Sequence, residues 1–226
     1  ICLATLNSTY MHAAFGLRYL MANLGELQAR AQMLELTIHK APELIAKEIL
    51  ASNPRIVGFG VYIWNTTQTL PVVQKIKELS PQTIVVLGGP EVSFESEMQA
   101  ICQLADYVIK GEADFLFREF CESILLQNQR PEKKYISGPL PEITKIVSPY
   151  ALYTDHDIEK RVVYVEASRG CPYKCEYCLS SLDKSVRNFP LEPFLADLDQ
   201  LIQKGTKQFK FIDRTFNLSP SISTKI

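Results

Sequence analysis

Short apolar runs alternate with stretches of helical spacing along the first half of the chain. Ile1–Leu6 is apolar and ends in Asn7-Ser8-Thr9, and Ala13–Leu24 then carries helical spacing up to Gly25. That sequence of patterns reads as strand, loop and helix. Met33–Ile38 predicts a second strand, and Pro42 opens a helix through Leu50 with Glu43 in its first turn. Arg55–Ile63 is nearly all apolar or glycine, as a central parallel strand covered on both faces requires. Trp64-Asn65-Thr66 follows as a loop and helix cap, with a helix expected over Thr67–Leu79. Thr83–Leu87 predicts a fourth strand ending in Gly88-Gly89-Pro90-Glu91, and a helix is expected through Glu95–Leu104. Asp106–Ile109 predicts a fifth strand ending in Gly111-Glu112, followed by a helix over Asp114–Leu126.

Five strand–helix units in strict alternation predict an α/β fold over residues 1–127, a doubly wound five-stranded parallel sheet of flavodoxin- or Rossmann-like type. A ligand crevice is then expected outside the carboxyl ends of the strands, at the switch point. Across 128–160 the alternation stops, and Pro131, Pro139, Pro141 and Pro149 with Gly138 predict an extended linker. Residues 161–226 resume with a strand at Arg161–Val165, a loop to Pro190, a helix at Leu191–Lys204 and a strand at Gln208–Ile212.

Composition adds limits more than direction. The 226 residues are 46% hydrophobic and 22% charged, which suffices for a core, and the net charge of -1 signals no polyelectrolyte partner. Lys204, Lys207 and Lys210 read as a solvated face, so no nucleic-acid partner is expected. No apolar run reaches the roughly 18 residues of a membrane span, and no signal peptide is visible, so a cytoplasmic protein without a membrane partner is expected. Three of the six cysteines, Cys2, Cys102 and Cys121, fall in apolar strand or helix patterns and read as buried thiols in a reducing compartment.

The other three carry the chemistry. Ala167-Ser-Arg-Gly-Cys171-Pro-Tyr-Lys-Cys175-Glu-Tyr-Cys178 leaves the β-branched run Arg161–Val165 as a loop. Zinc would want four ligands, usually as two separated pairs, and no second CxxC or neighbouring histidine is present. Three thiolates on one tight loop suit a [4Fe-4S] cluster with one open iron. Cys171-x-x-x-Cys175-x-Tyr177-Cys178, after Ser168-Arg169-Gly170, resembles the radical S-adenosylmethionine (radical SAM) signature, CxxxCxΦC with Φ aromatic. The resemblance implies that the amino and carboxylate groups of SAM chelate the open iron, that one-electron reduction generates a 5'-deoxyadenosyl radical, and that Tyr177 lies beside the SAM adenine. It also implies an electron donor such as flavodoxin or ferredoxin, and a full α/β barrel of which 161–226 would be only the first strands. Asp213 and Arg214, after the second of those strands, sit where related enzymes contact SAM. An incomplete barrel is expected to leave apolar strand edges unpaired.

An α/β domain followed by a linker and this motif resembles the cobalamin-binding radical SAM enzymes, with cobalamin implied in the first domain. The implied contacts lie at the strand ends: Ser8, Thr9 and His12 after the first, Trp64 after the third, Gly88, Gly89, Pro90 and Glu91 after the fourth, and Gly111 and Glu112 after the fifth. Glycines there let backbone approach a bulky ligand; a plain tight turn is the alternative. The DxHxxG motif of some cobalamin proteins is absent, leaving His12 either a cobalt ligand or an ordinary loop histidine. The resemblance implies methyl transfer to an unactivated carbon of a small-molecule or unknown substrate, or radical chemistry without net methylation. Two alternatives differ in kind. An RNA methylthiotransferase would need Cys2, Cys102 and Cys121 to hold a second cluster, and a cobalamin-binding module would carry an inert, truncated barrel.

Overall fold

A computed structural model of the chain describes residues 1–9, 11–178 and 185–226. They form two compact units, Ile1–Pro141 with Val147–Pro149, and Glu142–Ile146 with Tyr150–Ile226.

In the first unit, strands β1 (Cys2–Asn7), β2 (Gln32–Thr37), β3 (Ile56–Gly60), β4 (Ile84–Gly88), β5 (Tyr107–Ile109) and β6 (Tyr135–Ile136) pair in the order β2-β1-β3-β4-β5-β6, every neighbour parallel. The helices between them are α1 (Phe15–Ala22), α2 (Pro42–Leu50), α3 (Thr66–Leu79), α4 (Ala100–Leu104) and α5 (Asp114–Leu125). Cys2, Ala4 and Leu6 of β1 join Ile45 and Ile49 of α2, Val72 and Ile76 of α3 and Ile101 of α4 in one core. The opposite face meets α5: a Cβ on Gly58 would touch Leu3 and Phe117 side chains at 3.1 Å. Cover on both faces explains why β1, β3 and most of β4 read as unbroken apolar runs.

Two expectations are corrected. The sheet has six strands rather than five, because Tyr135-Ile136, inside the stretch expected as linker, pairs with β5. An aromatic and a β-branched residue side by side suffice there: Val108 N–H donates to Lys134 O at 2.9 Å and Lys110 N–H to Ile136 O at 2.9 Å. The helix expected over Glu95–Leu104 is two 3₁₀ turns, Pro90–Val92 and Ser96–Met98, before the short α4. Side chains break it up: Ser96 Oγ donates to Val92 O at 2.6 Å, and Gln99 Nε2 donates to Glu91 O at 2.8 Å and Phe94 O at 3.1 Å.

In the second unit, helix α6 (Asp155–Lys160), opened by a Thr154–Asp157 capping box, leads into β7 (Val163–Val165). Strands β8 (Ser168–Arg169) and β9 (Arg187–Asn188) pair antiparallel, helix α7 (Leu191–Gln203) follows, and β10 (Phe209–Phe211) pairs parallel with β7. The expected unpaired barrel edge is also corrected at β7. Tyr153 Oη donates to Tyr164 O at 2.9 Å and accepts from Tyr164 N at 3.0 Å. Tyr150 Oη serves the N–H and C=O of Glu166 in the same way, both at 3.2 Å. Two phenols thus take the place of a neighbouring strand.

Candidate functional site

Strand order 2-1-3-4-5 makes the gap between the carboxyl ends of β1 and β3 the switch point, where open α/β sheets bind ligands. Its floor is a buried amide. Asn65, wholly buried, donates through Nδ2 to Leu6 O and Gly60 O, each at 3.1 Å, and to Thr5 Oγ1 at 3.2 Å; its Oδ1 accepts from Tyr62 N–H at 2.8 Å. Thr5 Oγ1 donates on to Gly60 O at 2.8 Å. Asn65 does occupy the N-cap position of α3, but its side chain makes no cap bond and fastens β1 to β3 instead.

A second network fixes the loop after β1. Asn7 Nδ2 donates to His12 O at 2.7 Å, and the Glu35 carboxylate of β2 accepts from Ala14 N–H and, at 2.9 Å, from Arg18. The Arg18 and Glu35 side chains are 1% and 8% exposed, so each charge needs the other. Ser8 and His12 are half-buried and Thr9 is exposed on this loop.

Above the floor, Trp64 is 49% exposed and stacks on Tyr62, with ring centroids 4.6 Å apart and planes 6° from parallel. Burial pushes the Tyr62 hydroxyl pKa up, so it stays protonated. Trp64 therefore lines the crevice and is not a core residue, and Ile63 beside it is 78% exposed.

The glycines divide by cause. Gly89 has φ +113 and ψ 171, and a Cβ there would run into the Val61 carbonyl oxygen of the neighbouring loop. Gly88 would accept a Cβ at 3.6 Å from Ile109 O, an ordinary contact. Gly111, at φ +77, has nothing within 4 Å of its would-be Cβ, so space above it is open to a ligand. Ser93 joins the two turns, donating to Gly89 O at 2.8 Å and accepting from Gly111 N–H at 3.1 Å. Pro90 opens the 3₁₀ turn that carries the half-buried Glu91, and Glu112 is half-buried next to Gly111. Gly89→Ala should cost at least about 2 kcal/mol, since that conformation is essentially glycine's alone, whereas Gly111→Ala should cost about 1 kcal/mol. Urea midpoints of the two variants check the ranking.

Sequence reasoning brought the right strand ends together but missed Asn65 as a fastener, along with Tyr62, Ser93, Glu35 and Arg18. Glu35 carried a signal: a carboxylate between Leu34 and Leu36 in a strand must have a buried partner.

In the second unit all six cysteines being thiols includes those of the motif loop: Cys171 is buried, and Cys175 and Cys178 are half-buried. Cys178 N–H donates to Cys175 O at 3.1 Å in a turn, and Tyr177 between them is 94% exposed. The donor set suits iron, but among the described residues no three His, Cys, Asp or Glu side chains are gathered into a metal-holding group. Part of the loop expected to reach Pro190, residues 179–184, lies outside the described residues. Asp213 follows β10 with its carboxylate on the Ala167 amide and the Ser168 hydroxyl, while Arg214 is exposed.

Cys2, Cys102 and Cys121 lie on β1, α4 and α5, fully buried. Burial raises all three thiols, Cys102 to about 11 and Cys121 to about 12. Protonated core thiols are no basis for a second cluster. The unfolded chain releases these protons near the ordinary value of about 8.5, whereas the folded chain holds them. Stability should therefore be level below about pH 8.5 and fall as pH rises from there towards 11 and 12. Urea midpoints near pH 8 and near pH 10 test the sign.

Residues 1–120 match the B12 binding domain family. The chain belongs to that family. An uncharacterized methyltransferase of Pyrococcus horikoshii is 29% identical over 201 residues, 77% of this chain and 43% of its own length. The cobalamin-dependent radical SAM methyltransferase TokK of Streptomyces tokunonensis is 25% identical over 198 residues, 74% of this chain and 28% of its own. The chain thus spans less than half the length of these relatives. Among solved structures, the radical S-adenosylmethionine methyltransferase TsrM of Kitasatospora setae, with cobalamin and a [4Fe-4S] cluster bound, superposes with a TM-score of 0.72 at 16% identity, over 99% of this chain and 49% of that one. At that identity the likeness is one of fold. Among the described residues no helix is long and apolar enough to cross a membrane.

Proposed function

We propose that the first unit binds cobalamin over the carboxyl ends of its strands, and that the second unit begins a radical SAM barrel, in an enzyme that transfers a methyl group to an unactivated carbon. The observation that carries this reading is the joining, in one chain, of a B12 binding domain to a loop with cysteines at 171, 175 and 178 leaving a parallel strand. When bound, cobalamin supplies a methyl carrier, and the cluster with SAM supplies one-electron chemistry.

This chain's residues supply placement. The stacked Tyr62–Trp64 pair and Ile63 offer an apolar rest for the ring, and the open space over Gly111 admits its bulk. Ser8, Thr9, His12, Gly88, Pro90, Glu91 and Glu112 offer backbone and side-chain polar groups to its periphery, and the rigid turn at Gly89 holds that rim. Cys171, Cys175 and Cys178 would hold the cluster, with Tyr177 and Arg214 toward SAM. Reduction would come from a flavodoxin- or ferredoxin-like donor, and the substrate is a small molecule.

Titrating hydroxocobalamin into the protein should shift its visible spectrum and raise its melting temperature. At a hundredfold excess over Kd the stabilisation should be about 2.7 kcal/mol. Neither a spectral shift nor stabilisation would contradict cobalamin binding. Binding without iron uptake would favour a cobalamin-binding module over an enzyme.

A further inference from the structure

The cysteine loop has a built neck. On one side β8 pairs with β9, and Phe189 N–H donates to Ala167 O at 2.9 Å. Arg169 Nε donates to Glu166 Oε1 at 2.8 Å, with side chains 13% and 8% exposed, and its guanidinium lies 5.5 Å from the Phe189 ring centre. Gly170, at φ +90, then turns the chain into Cys171.

On the other side stands Asp213. The β7–β10 ladder runs one bond past the strands, with Ile212 N–H donating to Val165 O at 3.0 Å. In a continuing parallel ladder the next amide, that of Ala167, would donate to a main-chain carbonyl of the β10 segment. Here it donates to the Asp213 carboxylate instead, at 3.1 Å to Oδ1 and 3.0 Å to Oδ2, and Ser168 Oγ donates to Oδ1 at 2.7 Å. Bonds to an ionised acceptor are the strong kind. Both carboxylate oxygens are engaged four and three residues before Cys171, with no cluster present to organise them.

We infer that Asp213 is a positioning residue that fixes the neck of the cysteine loop through Ala167 and Ser168, rather than a group that contacts SAM. The inference rests on the reading of this loop as the cluster site. It assigns Asp213 a structural task performed before any cofactor arrives: the end of β10 sets where the loop's first cysteine begins.

Hydrogen exchange on the intact, iron-free protein tests the brace itself. Asp213→Ala should speed exchange at the Ala167 and Phe189 amides by about tenfold or more, as loss of a charge-assisted bond implies. Ser168→Ala should speed it less, and the double variant no more than Asp213→Ala alone, because both act through one contact. After anaerobic loading, Asp213→Ala should surrender iron to a chelator faster than wild type. Asp213→Asn, which keeps one carbonyl acceptor, should fall between them. Unchanged exchange and unchanged iron loss, with only SAM affinity weakened, would make Asp213 a ligand contact and overturn the inference. If the wild type takes up no iron, the cluster reading fails, and the exchange rates still decide whether Asp213 holds the neck.

Discussion

Cys175→Ala should take the protein from about four irons per chain after anaerobic reconstitution to almost none, because a site-differentiated [4Fe-4S] cluster has three protein thiolates and loses its hold with any one of them. Cys175 is half-buried on an exposed turn, two residues from the 94% exposed Tyr177, so the truncation removes little packing. Far-UV circular dichroism and cobalamin binding by the first unit should be unchanged. Cys102→Ala is the control: its sulfur lies in the apolar core with a thiol pKa near 11, and its loss should leave the iron content as it is. Iron retained in Cys175→Ala, or lost in Cys102→Ala, would move the cluster elsewhere. Iron and acid-labile sulfide assays, read beside electron paramagnetic resonance, distinguish these results.

Asn65→Ala should destabilise the first unit by about 3 kcal/mol, since each buried polar group left without its partner costs about 1–3 kcal/mol. The amide is wholly buried and serves Tyr62 N–H, Leu6 O and Gly60 O together, and the deletion also leaves a cavity beneath the switch point. Asn65→Asp should be at least as harmful despite its matching shape. It replaces the donor that faces two carbonyl oxygens with an acceptor, and it brings a charge into a buried site. The ends of β1 and β3 then separate, so cobalamin affinity should fall with stability. Urea melts and cobalamin titrations on both variants check this. A loss below about 1 kcal/mol in either would mean that water or another donor replaces the amide.

The first unit was largely legible because its signal is periodic. Ile56–Gly60 and Ile84–Gly88 are apolar on both faces, and the glycine turns after β4 and β5 mark strand ends. What escaped depends on contacts between residues far apart in sequence. Tyr135-Ile136 is too short to stand out from a proline-rich stretch, and only the exposed edge of β5 makes it a strand. Asn65 looked like a helix cap because Asn favours that position. Its role appears only when Thr5 and Leu6, some sixty positions earlier, are folded beside it. Tyr150 and Tyr153 likewise fall in a stretch expected to be linker, and their task depends on the position of β7. At the site, the cysteine spacing pointed directly to its chemistry. Asp213, by contrast, was assigned from its place after a strand, whereas its hydrogen bonds run to the neck of the loop.

Anaerobic reconstitution with iron, sulfide and hydroxocobalamin, followed by addition of SAM and a low-potential reductant, tests the two-cofactor reading most directly. The account predicts about four irons per chain, a cobalamin spectrum that stays with the protein through desalting, and a change in the cluster's electron paramagnetic resonance signal when SAM is added. Cobalamin retained without iron would reduce the chain to a binding module. Iron retained without cobalamin would contradict the role assigned to the crevice at β1 and β3.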